Sequence, residues 1–203
     1  MNRLDGKGKF TSPGSVRYRA HLEQKLNRDR QRVIDDKLLN AFPGAVRAFS
    51  LRDLTGDRLA SVVRVRRSSD NAEKDFAAVD INDGSLVAWV GAGNDGLVPV
   101  WYDQSGGGNN ATQTASASQP KIVDVGVLVK EEGNPALSFD GVDDYLSVNS
   151  NTLGTANYSI SVVAKIPSNK AGYILSSDFA INRKVGLQVN SSNVLIFYDR
   201  DDS

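Results

Sequence analysis

Apolar residues recur at two different spacings along the chain, and the change between them falls near residue 44. In residues 15–42 the spacing is helical, and the run ends at Pro43-Gly44, which stops a helix. At 1.5 Å per residue this pattern predicts a helix of about 27 residues, about 40 Å long. The helix follows a polar, Gly-rich extended arm over residues 1–14. Its apolar positions are Tyr18, Leu22, Leu26, Val33 or Ile34, and Leu38.

From residue 45 the spacing becomes that of β-strands. In ASVVRVRRS, Val63 and Val65 alternate with Arg64 and Arg66, which is typical of a half-buried strand. Similar short segments follow, including GLVPVWYDQ, PKIVDVGVLV, YSISVVAKI, GYILSS, VGLQV and NVLIFYD, and DGSLVAWVGAG predicts a short helix ended by glycine. Many short strands without long helices between them predict an antiparallel β-sandwich. The expected domains are residues 1–44, an attachment segment, and residues 45–203, the sandwich.

Charge distinguishes the two segments. The chain has 24 basic and 24 acidic residues, so no overall field attracts DNA, RNA or an anionic membrane. Residues 1–37, however, carry ten Lys or Arg and five Asp or Glu. This excess predicts that the helix docks on another protein, with Tyr18, Leu22, Leu26, Ile34 and Leu38 in the contact. The ordinary alternative is a solvated helix with one face on its own domain. Nucleic-acid binding is a weaker alternative, because Tyr18 is the one aromatic residue among the arginines of residues 15–37.

Several classes of chemistry lack the residues they need. The chain has no cysteine, which excludes disulfides, thiolate metal sites and cysteine nucleophiles. Its one histidine, His21, lies in the charged segment, so a Ser-His-Asp triad or a multi-histidine metal site is not expected. No apolar run has the length of a signal peptide or a membrane span. We expect a protein made without a secretion signal that does not insert into a membrane.

Two glycine-rich segments resemble phosphate-binding loops only in part. GAGNDG, residues 91–96, matches G-x-G-x-x-G, but a strand-like segment containing proline follows it where a nucleotide-binding loop needs a helix. SGGGNNATQ lacks the Gly-Lys-Ser/Thr ending of a P-loop. Both are predicted to be turns.

The segment FDGVDDYL, residues 139–146, is rich in acids. Asp140-Gly141 predicts a tight turn. Asp140, Asp143 and Asp144 offer oxygen ligands for calcium, the one cofactor that the sequence leaves open. The alternative is that these carboxylates accept hydrogen bonds from their own turn. Paired carboxylates for glycoside cleavage are available as well, but the sequence selects no pair.

Several motifs together carry a family resemblance. VRVRRSSDNAEKDF (63–76), WYDQSGGGNNATQ (101–113), QPKIV (119–123) and NPALSFDGVDDYL (134–146) occur in this order. Over roughly residues 45–200 the chain resembles the catalytic domain of α-L-arabinofuranosidase B and related domains of bacteriophage virion and bacterial surface proteins. The last motif also resembles laminin-G-like domains. The resemblance implies a concanavalin A-like jelly roll of two antiparallel sheets, a type of domain that often binds glycans. Candidate glycan-binding residues are Trp101, Tyr102, Asp103, Gln104, Asn109 and Tyr145.

The departures from the family argue against catalysis. In the arabinofuranosidase the nucleophile and the acid lie in the later half of the domain, one of them on a Glu-bearing segment. This chain has no glutamate after Glu132, and it lacks the cysteines of those secreted enzymes. With its basic arm it is more similar to the phage proteins. We therefore expect no catalytic residues.

The expected function is that of a virion structural protein of a bacteriophage, in a tail, neck or capsid appendage. The arm would bind other virion proteins, and the β-domain would face outward for adsorption to host glycans, in a homo-oligomer. The alternatives are a glycoside hydrolase and a bacterial surface adhesin. A laminin-G-like domain continues beyond the segment that VGLQVNSSNVLIFYDRDDS resembles, so the sandwich is expected to be incomplete at its C-terminus.

Overall fold

The computed structural model describes residues 3–4, 10–11, 19–27, 37–148, 159–167, 171–178, 183–190, 192 and 195–201. The fold is mainly β, with a curled antiparallel sheet and few helices. This confirms that the fold is mainly β and antiparallel, as predicted. Closure into a jelly roll stays a prediction, and so does the domain boundary near residue 44.

The largest sheet has seven strands, and all their pairings are antiparallel. They are β3 (Ser61–Arg67), β4 (Glu73–Ala77), β5 (Gly96–Trp101), β6 (Ala111–Thr112), β7 (Lys121–Asp124), β8 (Val127–Leu128) and β11 (Ser147–Val148). The order is β11-β6-β5-β3-β4. One edge of β5 is shared, because β7 pairs with its first residues and β6 with its last. β8 extends the sheet from β7.

Three smaller sheets complete the described strands. Two are two-stranded, and the third is a three-stranded meander in the order β12-β13-β14. The strands are β1 (Arg3–Leu4) with β2 (Phe10–Thr11), β9 (Lys130–Glu131) with β10 (Asn134–Pro135), and β12 (Gly172–Asp178), β13 (Arg183–Val189) and β14 (Leu195–Asp201).

The core lies between one face of the large sheet and two short helices. Val63 and Val65 of β3 point inward while Arg64 and Arg66 point outward, as their alternation predicts. Val62 is buried as well, next to a register shift that opens the β3–β4 ladder. The helices are α3 (Ala78–Asn82) and α4 (Ser85–Val90), and α4 ends at Gly91, as predicted. The core residues are Leu51, Val62, Val63, Val65, Phe76, Ala78, Ile81, Leu86, Val90, Val98, Ile122 and Val123.

The structure does not support one long N-terminal helix. Residues 19–27 are helical (α1), and α2 spans Leu38–Ala41. Lys37 between them is extended, with φ −80° and ψ 145°. Its ammonium group forms an ion pair of 2.9 Å with Asp53 and donates a hydrogen bond to the Asp53 carbonyl, so it is held against the loop before β3. The predicted docking residues Tyr18 and Ile34 lie outside the described residues, whereas Leu22, Leu26 and Leu38 are exposed.

A second correction concerns the segment YSISVVAKI. It was expected to form a strand, but residues 159–167 lie in no strand, and the described part of the chain offers them no pairing partner. Ile160, Val162, Val163 and Ile166 are exposed as a result. Alternation of apolar residues therefore did not suffice, because a strand also needs a neighbour to bond with its backbone.

The turn between β7 and β8 is strained. Val125 has φ 49° and Gly126 has φ 81°, both in the left-handed region. A β-branched residue rarely adopts this conformation, whereas asparagine tolerates it. The Val125 side chain is exposed, so it contributes little packing to offset the strain.

We expect Val125→Asn to raise the free energy of unfolding by about 1 kcal/mol, because asparagine relieves this strain. Val127→Asn is the matched control, since Val127 is equally exposed two residues later in β8 and has no positive φ. Urea unfolding measures both changes. A Val125→Asn variant no more stable than the parent chain would contradict the interpretation.

Candidate functional site

The loop after β5 is built around the carboxylate of Asp103. Its Oδ1 accepts hydrogen bonds from the backbone N–H groups of Ala48 and Ser105, both at 2.9 Å. Its Oδ2 accepts one from the N–H of Asn109 at 3.1 Å and lies 2.9 Å from the Ser105 hydroxyl. Burial raises the pKa of Asp103, but these hydrogen bonds outweigh it, and the pKa lies below its ordinary value. The carboxylate holds two loops together.

Gln104 continues the same contact. Its side-chain Oε1 accepts a hydrogen bond from the N–H of Leu54 at 2.9 Å, and its Nε2 donates to the carbonyl groups of Ser50 and Arg52. The backbone N–H of Gln104 also donates to the Ala48 carbonyl. Asp103 and Gln104 therefore fasten residues 48–54 to the end of β5, a long-range role that the sequence did not reveal.

Trp101 precedes this loop and is half-buried. Its ring packs against Phe49, with 5.7 Å between ring centroids. Its indole Nε1 is buried and has no hydrogen-bond partner in the described structure. The structure thus places Trp101, Asp103 and Gln104 in contacts with residues 48–54. Their role in glycan binding stays a prediction, and so does that of Asn109, whose N–H binds Asp103.

Tyr102 points to the other face of the sheet. Its hydroxyl donates a 2.8 Å hydrogen bond to Asp75, whose carboxylate also binds Nε and Nη2 of Arg64 at 2.7 and 2.9 Å. The guanidinium of Arg64 holds the pKa of Asp75 below its ordinary value. Burial, and then the hydrogen bond to Asp75, raises the pKa of Tyr102 to about 12. These three residues form a polar cluster on the solvent side of β3, β4 and β5.

This cluster predicts a titration result. In the parent chain the Tyr102 phenol should remain protonated at about pH 11, where an ordinary tyrosine has lost its proton. Asp75→Asn should lower the pKa of Tyr102, because the negative charge that opposes ionisation is removed. NMR of ring-labelled tyrosine measures both, with Tyr102→Phe to assign the signal. A Tyr102 that titrates near its ordinary pKa in the parent chain would contradict the described hydrogen bond.

The turn over residues 139–146 is stabilised by its own carboxylates. Oδ1 of Asp140 accepts hydrogen bonds from the N–H groups of Val142, Asp143 and Asp144 at 2.8 to 3.3 Å. Oδ2 of Asp144 accepts one from the N–H of Asp140. Asp143 binds the hydroxyl of Ser118 at 2.8 Å. Asp140 and Asp144 therefore accept hydrogen bonds from their own turn, which is the alternative to calcium binding that the sequence left open.

The same three aspartates also lie close together, with one ligand oxygen from each within 4.8 Å of the others. Asp140 and Asp143 are exposed and Asp144 is half-buried. Such an arrangement offers calcium the oxygen ligands it prefers. Calcium binding stays a prediction, and a calcium titration of chelator-treated protein, compared with Asp140→Asn, tests it.

A shallow depression of about 330 Å³ adjoins this turn. It is lined by Lys121, Asp124, Val129, Ser138, Asp140 and Asp144. Lys121 forms ion pairs with Asp95 at 2.9 Å and with Asp124 at 2.7 Å. Backbone hydrogen bonds hold the pKa of Asp140 below its ordinary value, whereas burial raises that of Asp144. Two neighbouring carboxyl groups therefore differ in their affinity for a proton.

A network of hydrogen bonds joins the large sheet to the acidic turn. Arg66 Nε donates to Gln119 Oε1 at 2.8 Å, and Gln119 Nε2 donates to the Gln113 carbonyl at 2.9 Å. Gln113 Nε2 in turn donates to the Tyr145 carbonyl. Gln113 and Gln119 are buried, so their amides need these partners. Tyr145, the remaining candidate for glycan binding, thus contacts other elements than Asp103 and Gln104 do, and its ring is exposed.

GAGNDG forms a turn, as predicted. α4 ends at its first glycine, and β5 begins at its last. The turn packs on the β7–β8 hairpin, where the N–H of Gly126 donates to the Asn94 carbonyl at 2.7 Å and that of Val125 to Asp95 at 2.8 Å. No helix begins there to bind a phosphate group.

Among the helices that the structure describes, none has the length and apolar character needed to span a membrane.

No family model, no curated protein and no solved structure matches this chain.

Proposed function

We propose that this chain is a structural protein of a bacteriophage virion, in which the N-terminal segment attaches to the particle and residues 45–203, here called the β-unit, are displayed. The observation that carries the proposal is the exposure of Leu22, Leu26 and Leu38 in the N-terminal helices, and of Phe42 directly after the second helix. Apolar side chains along an exposed helical segment favour a protein partner. The resemblance of residues 45–200 to domains of phage virion proteins is the reason for proposing that this partner belongs to a bacteriophage virion.

The displayed unit is proposed to bind host-surface glycans. Support comes from two exposed polar surfaces that carry an aromatic residue each. One contains Tyr102 with Arg64 and Asp75, and the other contains Tyr145 beside the acidic turn. Sugars bind where an aromatic face is combined with fixed polar groups. Asp103 and Gln104 contribute by holding β5 in place.

Mass spectrometry of purified virions tests the attachment. We expect peptides of this chain to band with the particles in a density gradient, at a constant ratio to the major capsid protein. Peptides confined to the unassembled fraction would contradict the proposal. Their recovery from the bacterial cell envelope would instead favour the adhesin.

A glycan array with the full-length chain tests the second part. Tyr145→Ala should weaken binding about two- to tenfold if the ring stacks on the sugar, since aromatic contacts contribute about 0.5–1.5 kcal/mol. Leu59→Ala is the matched control, because Leu59 is exposed and belongs to neither surface. Absence of binding to any glycan would contradict a role in adsorption.

One observation favours the glycoside hydrolase as a second candidate. Asp140 and Asp144 are neighbours with opposite pKa shifts, as in the acid and base of many hydrolases. Against it, Asp140 already accepts three backbone hydrogen bonds. Turnover of chromogenic furanosides that is abolished by Asp144→Asn would favour the enzyme over the binding protein.

A further inference from the structure

The side chain of Gln104 is bonded to a loop that lies far from it in the sequence. Its Nε2 donates hydrogen bonds to the carbonyl groups of Ser50 and Arg52, at 2.9 and 3.0 Å. Its Oε1 accepts one from the N–H of Leu54 at 2.9 Å. Leu51, between the two carbonyl groups, is buried in the core. One amide side chain therefore sets the backbone conformation of this loop on both sides of a core residue.

The end of the same loop binds the N-terminal segment. Lys37 Nζ forms a 2.9 Å ion pair with the Asp53 carboxylate and donates a 3.0 Å hydrogen bond to the Asp53 carbonyl group. The backbone N–H of Leu39 donates to the Leu54 carbonyl group at 3.3 Å. These contacts hold the chain on both sides of Leu38, where α2 begins. We call them the clamp.

The ion pair of the clamp is partly buried and well supported. The side chains of Lys37 and Asp53 are 25% and 11% exposed, so salt screens this pair less than a fully exposed one. Oδ1 of Asp53 accepts hydrogen bonds from the N–H groups of Thr55 and Gly56 at 2.9 and 2.8 Å. Burial raises the pKa of Asp53, but its hydrogen bonds outweigh this effect, and the pKa lies below its ordinary value. The carboxylate is therefore charged at neutral pH, and groups other than Lys37 fix its orientation.

We propose that Gln104 is a positioning residue for the N-terminal segment. It holds residues 50–54 in the conformation that the clamp requires, and so fixes the direction in which the segment leaves the β-unit. This inference rests on the proposed attachment of the segment to the virion, and it names the residue that orients the attachment.

The clamp lies beside two apolar residues that the proposed function uses. Leu38 and Phe42 are 53% and 62% exposed, at the beginning of α2 and directly after it. A contact that orients such side chains in advance reduces the ordering that binding has to supply. Loss of the clamp should therefore weaken attachment although no residue that contacts the partner is changed.

Distances between pairs of spin labels test this arrangement in the purified full-length chain. The chain has no cysteine, so two introduced cysteines are its only labelling sites. Ala41→Cys in α2 with Ala88→Cys in α4 reports the position of the segment relative to the β-unit. Ala88→Cys with Ala117→Cys reports the β-unit alone. All three alanines are exposed, and pulsed electron paramagnetic resonance measures both distances.

Two variants act on opposite sides of the clamp. Gln104→Ala removes the three side-chain hydrogen bonds to the loop. Lys37→Met removes the ion pair, and it leaves both Gln104 and the core intact, so the fold should persist. Gln188→Ala is the matched control, because Gln188 is also half-buried but lies in β13, whose sheet contains none of the clamp residues.

The parent chain and the control should give one narrow distance distribution for the pair at residues 41 and 88. Gln104→Ala and Lys37→Met should lose this narrow distribution, while the pair at residues 88 and 117 stays narrow in every variant. A broad distribution in the parent chain, or a narrow one for residues 41 and 88 in either variant, would overturn the proposal. Broadening of the pair within the β-unit by Gln104→Ala would overturn it as well, since Gln104 would then serve the whole fold.

Incorporation into virions is measured separately and should decrease for Gln104→Ala and Lys37→Met but not for Gln188→Ala. Normal incorporation of both clamp variants would show that attachment needs no fixed orientation, against this inference. A parent chain that is absent from virions would contradict the proposed function instead, whereas the label distances test the clamp whatever the partner is.

Discussion

Replacing Asp103 with asparagine is expected to lower the free energy of unfolding by about 2–4 kcal/mol. The carboxylate accepts hydrogen bonds from three backbone N–H groups, those of Ala48, Ser105 and Asn109. An amide has the same shape, but its nitrogen cannot accept, so at least one half-buried donor loses its partner at a cost of about 1–3 kcal/mol. The loss of charge weakens the remaining bonds further.

The pH dependence of this effect has a definite sign. Because the pKa of Asp103 is lower in the folded chain than its ordinary value, its contribution is present above about pH 4 and is lost as the pH falls through the folded pKa. The difference between the parent chain and Asp103→Asn should therefore be constant near neutral pH and shrink in acid. Urea unfolding over a series of pH values measures it.

Asp57→Asn is the control for this prediction. Asp57 is exposed and accepts a single hydrogen bond from the N–H of Leu59 at 3.1 Å. We expect its loss to cost about 0.5 kcal/mol or less. If Asp103→Asn were no more destabilising than Asp57→Asn, the loop would not depend on the Asp103 carboxylate.

The second large effect is expected at Gly126. A Cβ atom on this residue would lie 2.8 Å from the Gly93 nitrogen and 2.9 Å from the Ala92 Cα, both backbone atoms. The residue also has φ 81°, which alone costs an L-residue about 1–2 kcal/mol. Gly126→Ala should therefore destabilise the chain by about 3 kcal/mol, since separation of the packed turns adds to the strain.

Gly93→Ala provides the matched comparison. Gly93 lies in the partner turn with φ 77°, but nothing lies within 4 Å of a Cβ built there. Its substitution should cost only the backbone term, about 1–2 kcal/mol. Equal losses for the two alanine variants in urea unfolding would show that the turns are not in close contact.

The large sheet was predictable where local pattern and burial agree. Val63 and Val65 alternate with arginines, and the structure buries the valines, because β3 lies inside the sheet and one face of that sheet packs on the core. The same pattern failed in residues 159–167, where Ile160 and Val162 have no described partner strand. In the N-terminal segment the spacing also misled, since Lys37 is held extended by a contact with Asp53 that no periodicity reveals.

The candidate site shows the same limit. That Asp103 holds its own turn follows from its place before Ser105 and the glycines, as aspartate commonly does. Its contact with Ala48, the one between Gln104 and Leu54, and the network from Arg66 to Tyr145 join residues far apart in sequence. Such contacts depend on the sheet order, which short motifs do not specify. The motif WYDQSGGG therefore joins two loops, and this structural role accounts for its Asp103 and Gln104.

Immunogold electron microscopy of intact virions tests attachment and display together. One antibody is raised against residues 15–27 of the arm and a second against the β-unit. We predict that the second antibody labels intact particles at a fixed position, while the first labels them only after the particles are disrupted. Intact particles that bind neither antibody, or that bind the arm antibody as well as the other, would contradict the account.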